Sequence, residues 1–120
     1  MSHIVTIEVE LKNKESVVKA CERLSWPCTV DGSASFYDGK TIHGVVVKVP
    51  SWQYPAVIKD NGTVAADTYN NRWGDIKELD RLKQLYSIEE AKSTFSRQGL
   101  YGSEQENQDG SITLTAEVYQ

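Results

Sequence analysis

Apolar and polar residues alternate from the start of the chain: Val5, Ile7, Val9 and Leu11 share one face, and Thr6, Glu8 and Glu10 share the other with Ile4. A period of two is the signature of a half-buried strand. The period then changes. Asn13 can cap a helix over residues 14–24, where Val17, Val18, Cys21 and Leu24 form one apolar stripe. Ser25-Trp26-Pro27 ends it, because proline disfavours helical geometry in the residue before it.

The pairs Asp38-Gly39, Asn61-Gly62 and Asp109-Gly110 supply the positive-φ residues that tight hairpins need. The first pair joins a strand at residues 33–37 to one at 41–49, whose Val45-Val46-Val47 run predicts a strand covered on both faces. The second joins residues 56–59 to 63–67, and the third joins a polar edge strand at 101–107 to an alternating strand at 111–119. Between the last two, Asp75 with Glu78 and Ser87 with Glu90 have capping-box spacing. Ile76, Leu79, Leu82, Leu85 and Tyr86 then recur at helical intervals, followed by Ile88, Ala91 and Phe95 up to Gly99, as one bent helix or two. The pattern predicts a single α+β domain over residues 1–120. Its one largely antiparallel sheet has the first and last strands central, because both carry equally apolar faces, and the helices pack on one side.

Charge and cysteine content narrow the functional classes. Thirteen Lys and Arg against 17 Asp and Glu give a net charge of −4, which disfavours a sequence-independent hold on nucleic acid or an anionic membrane. Residues 1–60 are balanced at seven against seven, so all the excess acid lies in residues 61–120, as expected of a solvated helical and hairpin surface. No run approaches the roughly 18 apolar residues of a membrane span. With Cys21 and Cys28 the only cysteines, the expectation is a cytoplasmic or plastid-stromal protein in a reducing compartment, a monomer or weak dimer.

Catalytic and metal signatures are sparse. His3, Cys21, Cys28 and His43 offer the right atoms for zinc but not the close pairs that structural zinc sites use, so neither metal nor cofactor is expected. Nucleophile elbows, phosphate-cradling loops and His-Glu-x-x-His pairs are absent from the sequence. An enzyme of unrecognised type would have to use His43 as a base, with Asp60 or Asp67 on neighbouring strands.

What stands out is residues 52–75, with Trp52-Gln53-Tyr54-Pro55, Tyr69-Asn70-Asn71-Arg72 and Trp73-Gly74-Asp75. Large aromatics beside amides and a guanidinium suit stacking and clamping rather than acid–base chemistry. Trp52 and Trp73 could simply fill the core edge. The alternative is a contact surface of Trp52, Tyr54, Tyr69, Asn70, Arg72 and Trp73 that binds a protein partner, with the rings as anchors and Arg72 as the charged clamp. A small anionic or aromatic ligand held by Arg72 and stacked on Tyr54 or Trp52 is the second reading.

The start Met1-Ser2-His3-Ile4, the Trp52-x-Tyr54-Pro55 motif, the Tyr69-Asn70-x-x-Trp73-Gly74-Asp75 block and the Asp109-Gly110-Ser111 turn occur in this order along the chain. In these motifs the chain resembles the uncharacterised chloroplast-reading-frame family, a domain of unknown function in cyanobacteria and algal plastids. The resemblance implies a soluble bacterial or plastid protein and brings no activity, cofactor or catalytic residue with it.

Overall fold

The computed structural model describes residues 4–7, 10–69 and 72–119, with side chains from residue 10 onward. His3, Asn70 and the side chains of residues 5, 7 and 9 therefore lie outside the described set. The fold is α+β, and its strands pair antiparallel throughout. The chain gathers into two compact units, residues 1–86 and 87–120.

In the first unit, β1 (Ile4–Ile7) is followed by α1 (Lys14–Leu24), β2 (Cys28–Ser35), β3 (Thr41–Val47), β4 (Ala56–Ile58) and β5 (Val64–Asp67). Strands β2 to β5 form a meander, each paired with the next, and β1 folds back beside β5 to give the order β1-β5-β4-β3-β2. A 3-10 turn (Ile76–Glu78) leads into α2 (Leu79–Arg97), whose first two turns complete this unit. The second unit holds the rest of α2 and the hairpin of β6 (Leu100–Glu106) and β7 (Ile112–Val118).

Local signals set the element ends. Asn13 caps α1, its side chain accepting the Glu15 N–H. At the other end the helix stops before proline acts: Ser25 turns left-handed at φ 60°, and the Ser25 and Trp26 N–H groups bond back to the Glu22 and Cys21 carbonyls. That is a Schellman closure with serine where glycine is usual. Asp75 caps the 3-10 turn through the Lys77 N–H.

All three glycine pairs make the same turn. Phe36 N–H bonds to the Lys40 carbonyl, Lys59 N–H to Thr63 and Asn107 N–H to Ser111, at 2.8–2.9 Å, with glycine at φ 84–88° before the returning strand. The preceding Asp38, Asn61 or Asp109 accepts the N–H two residues on, which fixes each loop at three residues and hence the strand register. At Asp109, hydrogen bonds from Ser111 hold the carboxyl below its ordinary pKa.

The single sheet with central first and last strands is not what forms. Strand β1 is an edge, and among the described residues β7 pairs with β6 alone, in a separate two-stranded sheet. Alternation reports that one face of a strand is buried, not what buries it. The apolar face of the β6–β7 hairpin is shielded within its own unit: a Cβ built on Gly102 would lie 3.0 Å from Lys92 Cγ and 3.5 Å from Phe95 Cδ2 of α2. Lys92 Nζ also meets Glu104 Oε2 at 2.7 Å across that helix–hairpin contact.

Both faces of β3 are covered, as its valine run predicts. Val45 and Val47 lie opposite Ile58 and Ala56, and all four are buried. Cys28 pairs with Val47 on this face and accepts a hydrogen bond from the Cys21 thiol of α1, so α1 covers the sheet here through Val17, Ala20 and Cys21. Leu79, Leu82, Leu85 and Tyr86 of α2 are also buried, and the Tyr86 hydroxyl accepts the Asn13 N–H at 3.1 Å. On the opposite face, Val46 pairs with Val57 in a cluster with Ala34, Phe36, Ile42 and Tyr54. No helix of the described residues is long and apolar enough to cross a membrane.

Two consequences can be measured. A Cβ at Gly44 would overlap the Ile58 carbonyl oxygen, so Gly44→Ala will lower stability by about 2–3 kcal/mol in urea unfolding. Gly39→Ala meets nothing within 4 Å and carries only its backbone strain, about 1 kcal/mol. Second, burial pushes the Cys21 thiol up to about 12. Its neutral form is then favoured by folding, and stability falls as pH rises through the unfolded thiol's range, above about 8.5. Unfolding measured at rising alkaline pH will lose stability more steeply in the native chain than in Cys21→Ala.

Candidate binding surface

The Val46 face of the sheet is closed by two loops, residues 48–55 after β3 and 68–75 after β5. Backbone bonds lock them together. Gln53 N–H donates to the Trp73 carbonyl at 2.8 Å, and Trp73 N–H to the Thr68 carbonyl at 2.9 Å. Ser51 and Tyr69 are both left-handed, at φ 68° and 46°, which makes each loop double back sharply. Gly74 lies flat on the indole of Trp52, where an added Cβ would fall 2.6 Å from Trp52 Cγ.

Trp52 is therefore a buried packing residue, 8% exposed, as the core-edge alternative has it. Its Nε1 has no hydrogen-bond partner among the described residues. The other aromatics form a half-exposed cluster around Trp73. Tyr69 stacks on Trp73 at 4.8 Å between centroids, and Tyr54 lies tilted at 5.4 Å. The exposed Arg72 guanidinium sits 5.0 Å above the Tyr69 ring. Four of the six expected surface residues, Tyr54, Tyr69, Arg72 and Trp73, thus meet in one patch. Trp52 supports it from beneath, and Asn70 lies outside the described residues.

Tyr37 belongs to the patch and was missed by the sequence reading. It projects from the β2–β3 turn, 59% exposed, with its ring 5.2 Å from Trp73. Asp67, buried at the end of β5, holds it there: Oδ2 accepts the Tyr37 N–H at 3.1 Å, while Oδ1 has no partner among the described residues. An aromatic at the second position of a tight turn was the only available signal; its neighbours are a matter of tertiary structure.

Beside the patch opens an apolar groove of about 330 Å³, lined by Pro27, Thr29, Val46, Trp52, Tyr54 and Pro55 among others. Among the described residues Lys48 is the one charged residue in its lining, and Arg72 is not part of it. Tyr54 belongs to both, so groove and patch share a wall.

The remaining candidates come apart. His43 is exposed and its Nδ1 bonds to Ser33 Oγ at 3.0 Å on the adjacent strand. Asp60 instead meets Lys14 at 3.7 Å, and Asp67 engages Tyr37. Among the described residues no three His, Cys, Asp or Glu side chains gather as a metal site.

Two variants separate support from contact. Gly74→Ala will drive a methyl group into Trp52 and lower stability by about 1–3 kcal/mol, with a red-shifted tryptophan emission as the indole loosens. Arg72→Ala removes an exposed cation–π contact, about 0.5–1 kcal/mol, and will leave thermal unfolding nearly unchanged. Compared with family models, curated proteins and solved structures, the chain gives no match.

Proposed function

We propose that this is a small non-enzymatic binding module that captures an extended segment of a protein partner. The observation that carries this reading is the shared Tyr54 wall, which makes one open apolar groove and one half-exposed aromatic patch a continuous surface. Aromatic rings with restricted torsions offer large contact area at little entropic cost, which is why they dominate contact energetics elsewhere. The cations complete the pattern. In a chain of net charge −4, the groove and patch carry Lys48 and Arg72, which favours an apolar segment flanked by acidic residues. We also propose membership of the chloroplast-reading-frame family, supported by the Trp-x-Tyr-Pro and Tyr-Asn-x-x-Trp-Gly-Asp motifs, whose described residues contribute to this surface.

A second reading, a small anionic or aromatic ligand, is favoured by the groove volume, which falls at the lower end of small-molecule sites. In that case Lys48, rather than Arg72, would be the cation in contact.

Peptide display against the full chain tests the proposal. The expected result is enrichment of extended apolar segments with adjacent Asp or Glu, whose affinity drops at least tenfold in Lys48→Glu and in Tyr37→Ala while thermal unfolding is unchanged. Binders indifferent to both substitutions, or no specific binders, would overturn it.

A further inference from the structure

We propose that β7 is a homodimerisation edge: two copies of the chain pair their β7 strands antiparallel about a two-fold axis at Thr115. A two-stranded ribbon leaves both its edges open, and its two edges differ. The β6 edge carries Glu104 and Glu106. Strand β7 has no Pro, Gly or Lys, and its only charge is Glu117. Natural edges are normally blunted by bulges, charge or proline. The β2 edge of the five-stranded sheet follows that rule. It is broken by a register shift between Thr29 and Gly32, with Asp31 left-handed at φ 55° and ion-paired to Lys14 at 3.3 Å. Strand β7 is regular over seven residues, and no strand among the described residues pairs with its second edge.

The backbone is set for addition. Asn107 N–H donates to the Ser111 carbonyl, and antiparallel ladders alternate. Thr113, Thr115 and Glu117 therefore direct their N–H and C=O groups to β6, and Ile112, Leu114, Ala116 and Val118 direct theirs outward. Those outward groups bring the apolar side chains with them into register.

The self-pairing is complementary only in a narrow set of alignments. Centred on Thr115, Ile112 meets Val118 of the second copy and Leu114 meets Ala116, so two apolar faces merge into one four-stranded surface. That covers Val118, now 65% exposed. Glu117 falls opposite Thr113, not opposite its own copy, so like charges stay apart. Inside each hairpin the Tyr101 hydroxyl bonds to the Glu117 carboxylate; that neighbouring charge raises the phenol's pKa and holds the acid against its own chain. A two-fold operation closes on itself, so pairing stops at two copies. One strand pair makes a small interface, so the dimer belongs to the weak, concentration-dependent class.

Sedimentation equilibrium of the full chain between about 5 and 500 μM tests this in three arms. The native chain will dimerise within that range. Ala116→Pro removes an outward N–H and leaves the hairpin ladder to β6 intact, so it will weaken dimerisation at least tenfold without altering the circular dichroism spectrum. Thr113→Lys, placed opposite Glu117 of the second copy, will tighten the dimer, and Thr113→Glu will weaken it. Those two variants change a position far from Glu117 within its own chain, so opposite effects report the intermolecular register even if Ala116→Pro fails to fold. A chain that stays monomeric throughout, a dimer indifferent to Ala116→Pro, or equal effects of Lys and Glu at residue 113 would overturn the proposal.

Discussion

The contact between Gly74 and the indole of Trp52 is the constraint on which the surface depends. It joins a loop that leaves β3 to a loop that leaves β5, and with the Gln53–Trp73 backbone bond it converts two separate connections into one lid over the Val46 face. Only a residue without a Cβ permits the approach. Because Trp52 is pinned beneath, Trp73 is held at half exposure rather than sinking inward, and Tyr37, Tyr54 and Tyr69 collect around it at 4.8–5.4 Å. Packing and presentation are thus the work of neighbouring residues, Trp52 for the first and Trp73 for the second.

The sheet divides its two faces between different kinds of cover. Helix α1 shields the Val45–Val47 side by ordinary aliphatic packing through Val17 and Cys21. Loops shield the other side, and loops leave gaps. The groove lined by Thr29 and Val46 is such a gap.

Much of the local structure was legible from residues alone because its causes are local. Asn13, Asp75 and the three turn pairs act within a few residues of themselves, and caps and hairpins appear where they stand. Valines in succession correctly implied two covered faces for β3. Strand order was not legible, since the alternation in β7 is satisfied equally by a central position or by a helix laid across a hairpin, as Gly102 beneath Lys92 and Phe95 shows. The cluster was legible in part. Tyr54, Tyr69, Arg72 and Trp73 lie within 20 residues of one another in sequence, whereas Tyr37 joins them through tertiary structure, its N–H held by buried Asp67.

The strand order has a kinetic corollary. Strands β2 to β5 each pair with a sequence neighbour, and β6 with β7, so most of the ladder closes over short loops. The exception is β1, where Ile4 meets Asp67 across more than half the chain. Loop-closure entropy makes such a contact slow to form until its template exists. Strand β5 is that template, so the pairing of the N-terminal strand is the step of this sheet that carries the largest loop-closure cost.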